Sequence, residues 1–269
     1  YTMQDNRIRT TNQVRSRLET TEPNSIISFL ANQTAKLELL IKNSLGIFAA
    51  QYRTGQWLQS QYGIGPVFSA YFLTNVDIRK APYAAHFWKF AGITPNSRWN
   101  KGETRPWNAN LKSKCYLMAE TMYKFQSNNN CFYGKYFRKR KDELILQNFQ
   151  GKFADQNRTF NATQYENRVG EDTTAKLWYT GCITVEAAQK IYNSSLTNKI
   201  ALTKELAGNP GTGIKMLPPA HIHARARRLV ITLFLSHLHT VMYKDYYNKD
   251  APKPYAIEVL GHSDYIEVP

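Results

Sequence analysis

Acidic residues are scarce in this 269-residue chain: 20 Asp and Glu stand against 35 Lys and Arg, a formal net charge of +15. A surplus of that size excludes a neutral, self-contained surface and favours a polyanionic partner. Cysteine is scarcer still. Cys115, Cys131 and Cys182 are an odd, scattered set with no C-x-x-C pair, which excludes a disulfide framework and fits reduced thiols in a cytoplasmic setting. No apolar run approaches the ~20 residues that span a bilayer, and the polar N-terminus is no secretory signal, so no membrane partner is expected. There is no Gly-rich phosphate loop ending in GK[ST] and no His-Glu-x-x-His, which removes the common nucleotide hydrolases and zinc proteases. No cofactor is implied.

What is present is helical periodicity and aromatic mass. Hydrophobic residues make up 42% of the chain, enough to fill a core and to exclude a disordered tail. The pattern predicts a mainly α protein: a helical hairpin, a helix-hairpin-helix core, one long buried C-terminal helix and an extended C-terminal strap. Four segments follow, with 1–54 as a helical arm, 55–150 as the core, 151–217 as a helical insertion, and 218–269 as the long helix and tail.

Gly55 to Asn75, GQWLQSQYGIGPVFSAYFLTN, organises the rest. Trp57, Leu58 and Tyr62 form one apolar face before Gly63-Ile64-Gly65-Pro66, and Val67 to Leu73 supply another after it. The two glycines can adopt backbone angles closed to other residues, and Pro66 suits the first turn of a helix. Ile64 plugs back between the helices. Such a bend leaves N–H groups pointing outward at a helix mouth, a geometry that suits a phosphate and positions a protein on a nucleic-acid backbone without reading sequence. The plainer reading is a packing corner.

Other stretches add to that expectation. From Arg79 to Lys114 there are eight Lys and Arg against the single acid Glu103, and Trp99 and Trp107 are interleaved with them. Cations beside tryptophans can neutralise phosphates and stack on bases. The candidate nucleic-acid-binding residues are Gly63, Ile64, Gly65, Arg98, Trp99, Lys101, Arg105, Arg225, Arg227 and Arg228. Residues 93 to 107 read as a β-hairpin or an ordered loop. Upstream, apolar residues from Ile26 to Phe48 recur mostly at three and four, a long amphipathic helix that pairs with residues 5 to 20 as an arm for possible homodimerisation. In the long helix, His221-x-His223 and His237-x-His239 invite a metal. Sixteen positions at ~1.5 Å each part the pairs by roughly 24 Å, so no metal site is expected.

Tyr62 to Asn96, with GIGP, an apolar helix, an aromatic helix and Ala91-Gly92-Ile93-Thr94-Pro95, resembles the C-terminal domain of bridge-RNA-guided insertion-sequence transposases of the one-hundred-and-ten class. The likeness covers roughly residues 30 to 125, and the HIHARARR stretch looks like phage and bacterial relatives. The resemblance implies nucleic-acid binding, DNA preferred over RNA. In the full transposases it also implies an RNase-H-like domain with magnesium-binding acids and a serine after A-G-L-x-P. Upstream of residue 55 the acids are only Asp5, Glu19, Glu22 and Glu38; the serine position reads Trp99-Asn100-Lys101-Gly102, with Ser97 off register. The expectation is therefore binding without catalysis in this chain. The alternatives are a transposase subunit with its nuclease elsewhere, or a structural RNA-binding component.

Overall fold

The computed structural model describes residues 1–17, 25–94, 97, 99–100, 102–156, 174–194, 199–253 and 265–269. Among them the chain is mainly α-helical and contains no strand. It packs as two compact units, one of residues 1–121 with 234–269 and the other of residues 122–233.

The first unit begins with α1 (Thr2–Arg17) and α2 (Ser25–Ala50). Arg7 bonds Glu38 and the Thr10 hydroxyl lies 3.2 Å from that of Thr34. The later partner is the earlier in sequence, so the two helices run antiparallel. Their seam is polar. Glu38 is buried between Arg7 and Lys42, and these two cations hold its carboxyl below the usual range. The apolar stripe of α2 therefore does not pack on α1. Ile26, Leu30, Leu37, Leu40 and Ile47 are 45 to 69% exposed, because α1 offers polar side chains to the opposite face.

A sharp corner joins α2 to α3 (Arg53–Ser60), whose axis then folds back against α2. Gly55 makes the corner possible, since a Cβ there would lie 1.9 Å from the Ala49 carbonyl oxygen. The first turn of α3 has an unusual cap. Asp245, far along the chain, accepts from both the Thr54 N–H at 2.9 Å and its hydroxyl at 2.8 Å. A carboxylate at a helix N-terminus satisfies an orphan donor and opposes the helix dipole.

After the hairpin come α4 (Pro66–Asn75), a 3₁₀ turn (Ile78–Lys80), α5 (Ala84–Phe90) and α6 (Ala109–Lys124). On α6, Leu111, Cys115 and Met118 are fully buried, as their spacing predicts. The Cys115 thiol is pushed up to about 12 by burial and is inert. All three cysteines are buried and free. Residues 93–107 contain no strand among those described; residues 95, 96, 98 and 101 lie outside them.

The second unit holds α7 (Phe132–Phe149), α8 (Thr174–Tyr179), α9 (Val185–Asn193) and α10 (Lys199–Glu205). Its core gathers Trp178, Ile183, Ala187, Ala188, Ile191 and Met216. Thr184 starts α9 by accepting from the Ala187 N–H. Buried Asn148 donates to the Leu217 carbonyl at 2.9 Å and accepts from its N–H at 2.8 Å, so its amide stands in for a strand partner.

The long helix α11 (Pro219–Tyr247) has its first part in the second unit and its last part in the first. It ends at Asn248, whose left-handed backbone (φ 52°) closes the last turn. Of the expected tail strap, residues 254–264 lie outside the described residues; 265–269 are non-helical, and the Ile266 carbonyl accepts from His237. Among the described residues no helix is long and apolar enough to cross a membrane.

Replacing Gly55 with Ala should cost about 3 kcal/mol, because the clash is with backbone and must move a whole helix. Urea denaturation would read this as a lowered midpoint at unchanged slope. A midpoint equal to that of the wild type would remove the corner's steric role.

Candidate nucleic-acid interface

Leu58 is fully buried and Ile64 is 5% exposed, so the bend between α3 and α4 is held from beneath. The Ile64 N–H returns to the Gln61 carbonyl at 3.0 Å, and Ser69 N–H to the Gly65 carbonyl at 3.1 Å. Gly63 sits at φ 87°, in the region that favours glycine, and its carbonyl lies 3.1 Å from the Thr121 hydroxyl. Gly65 differs from the expectation. Its φ of −99° and ψ of −178° are extended backbone open to any residue, because the turn is already closed at Gly63. A Cβ on Gly65 would meet nothing within 4 Å. Neither packing nor backbone within the chain requires a glycine there.

Pro66 enters α4 at its first turn, with no side chain capping it. Among the described residues, no protein acceptor meets the N–H groups of Gly63, Gly65, Val67 or Phe68. All four residues are half-buried rather than covered, so the bend is open to solvent. Val67 and Phe68 belong to the first turn of α4, and unpaired amide donors at a helix N-terminus attract negative charge.

The aromatic and basic loop is partly visible. Arg98 and Lys101 lie outside the described residues. Arg105 stacks its guanidinium on Trp99 with 4.4 Å to the ring centroid, and the Trp99 indole donates to the Glu103 carbonyl at 2.6 Å. Trp99 is 39% exposed. Trp107 serves packing instead: it lies against Gly92, where a Cβ would come 2.4 Å from its ring, with Lys112 over its outer side at 4.5 Å.

Comparison with family models, with curated proteins and with solved structures finds no match.

The three arginines of α11 belong to the second unit and have different surroundings. Arg225 donates to the Gln156 side chain and stacks 4.7 Å from the Phe153 ring centroid. Arg227 is half-buried, and Arg228 is exposed. Arg140, on the basic turn of α7, and Arg228 are close enough to lower the Arg225 guanidinium along with burial. Nothing in the spacing of RARR shows that Arg140, eighty-odd positions earlier, belongs with it.

The histidines of α11 are structural. The nitrogen Nε2 of His237 donates to the Ile266 carbonyl at 2.9 Å, and that of His239 to the Ala81 carbonyl at 2.8 Å. His223 packs edge-on to Tyr123 and Phe137. Among the described residues no group of three His, Cys, Asp or Glu could hold a metal ion; His262 and Asp264 lie outside them.

Burial holds His237 and His239 below the ordinary imidazole value of 6.5. The folded chain thus binds fewer protons than the unfolded chain as pH falls through 6.5. Stability is complete above that value and declines as pH drops below it, by at most ~1.4 kcal/mol per pH unit for each histidine. Urea midpoints at pH 7.5, 6.5 and 5.5 would show the decline, and His239→Gln should flatten it. A midpoint independent of pH over this range would contradict the assignment.

Proposed function

We propose that this chain binds nucleic acid through the phosphate backbone, with the bend between α3 and α4 as the grip. The observation that carries this reading is the set of amides from Gly63, Gly65, Val67 and Phe68 without protein acceptors, beside a Gly65 that the fold itself does not need. A glycine without an internal reason leaves room for a partner to approach the backbone closely. The surplus of cations supplies sequence-independent attraction, and the exposed Trp99–Arg105 stack offers a flat face for a base or sugar. The preference for DNA over RNA rests on the resemblance of Tyr62 to Asn96 to the transposase domain. No step of strand cleavage is assigned to this chain.

Gly65→Val tests the grip cleanly, since the added side chain meets open space and leaves the fold intact. Duplex affinity should fall about tenfold, the equivalent of one charge-assisted hydrogen bond, and by the same factor for unrelated sequences. Fluorescence anisotropy with two unrelated duplexes and a folded RNA competitor would measure both the loss and the preference. An affinity equal to that of the wild type would end the proposal.

We infer that the partner of the arm is a second copy of the chain. On the outer face of α2, Leu30, Gln33, Leu37, Leu40, Ser44 and Ile47 alternate at three and four, the repeat of a coiled-coil seam. An antiparallel copy about a two-fold axis between residues 38 and 39 sets Leu37 on Leu40, Leu30 on Ile47 and Gln33 on Ser44. Apolar meets apolar and polar meets polar, as an isologous interface demands. Sedimentation should show a dimer that Leu37→Glu with Leu40→Glu converts to a monomer; a wild-type chain that stays monomeric at ~100 μM would refute the pairing.

A further inference from the structure

In the second unit, residues from α8, α10 and the start of α11 enclose a cleft of about 600 Å³. Tyr179, Lys199, Thr203, His221 and Arg228 are among its lining residues, and among the described residues no carboxylate lines it. The size falls within the ~300–1,000 Å³ range of small-ligand sites.

The electrostatics are one-sided. The unit as a whole carries 17 Lys and Arg against 8 Asp and Glu in its sequence. Arg140 is paired with Glu143 at 3.2 Å, and Arg225 is engaged with Gln156 and Phe153. Arg228 and Lys199 meet no carboxylate among the described residues. Lys199 is also close enough to Lys141 to oppose its charge. Tyr179 Oη lies 3.2 Å from His221 Nδ1, and burial with Arg225 and Arg228 holds that imidazole down at about 4. The ring is neutral at pH 7 and adds no further repulsion. Like charges gathered at a partly dry cleft cost stability unless an anion joins them.

Of the apolar residues that line the cleft, Ile191 and Pro218 are buried and Ile200, beside Lys199 on α10, is 70% exposed. An inorganic anion would fill only a small part of this volume. We propose that the cleft seats a nucleoside monophosphate unit, with the phosphate drawn by Lys199 and Arg228 and the base against the exposed Ile200. Such a unit comes either as a free mononucleotide or as the 5′-phosphorylated end of a strand. None of these residues belongs to the bend between α3 and α4, so the inference goes beyond the duplex grip.

Titration calorimetry on the full chain decides it, with AMP, adenosine, and one short single strand in 5′-phosphorylated and 5′-hydroxyl forms. AMP or the phosphorylated strand should bind, and omission of the phosphate should weaken binding about tenfold or more. Arg228→Gln and Lys199→Gln should each produce a similar loss. Binding of AMP marks a free nucleotide as the ligand, and binding of the phosphorylated strand alone marks a strand end. The proposal fails if the phosphate makes no difference, if no probe binds, or if both substitutions, with circular dichroism unaltered, leave affinity at the wild-type value.

Discussion

Phe234 is the contact on which the first unit depends. It stacks against Trp57 of α3 with ring centroids 6.0 Å apart and tilts on Phe72 of α4 at 5.2 Å. One ring from α11 thus touches both sides of the bend from beneath and fixes the angle between its helices. Phe72 and Phe234 are fully buried, so the helix pair has a rigid floor. Rigidity beneath is what allows the amides above to stay unsatisfied by protein. A loose bend would turn them inward or close an extra turn of helix.

The same division of labour recurs in the charges. Where a cation serves the fold it has a partner: Arg7 and Lys42 hold Glu38, and Lys244 reaches Asp250 at 3.1 Å. Arg105 and Arg228 have no such carboxylate among the described residues, and they lie at an aromatic stack and at a cleft. The net charge is therefore not an even coat. Internal pairs use part of the basic residues, and Arg105 and Arg228 are left to an outside anion.

Much of the fold could be read from local chemistry. Gly63, Pro66 and the flanking apolar residues specified two helices joined by a short turn because turn and helix-entry preferences act within a few positions. The stripe of α6 and the length of α11 followed from periodicity in the same way. The orientation of α2 did not, because an apolar stripe shows that a face is sticky and says nothing about its partner. Glu38, a charged residue, occupies the buried seam, since α1 brings Arg7 to it from thirty-one positions away. Gly65 misled for a related reason: composition suggested a special backbone angle, whereas the observed angle is ordinary and the missing side chain leaves open space. The cleft was not legible, since Tyr179, Lys199 and the pair His221 and Arg228 come from three separate helices and line one space only through packing.

Asp245 ties the two ends of this arrangement in time as well as in space. Its carboxylate caps α3 from 191 positions downstream. During synthesis the ribosome releases Thr54 long before that carboxylate exists, so the entry to α3 remains uncapped while most of the polypeptide is made. Phe234, the floor under the bend, also arrives late. The nascent chain must therefore carry its outward-facing α2 stripe and an unfinished bend together, and the bend is completed only when α11 has emerged.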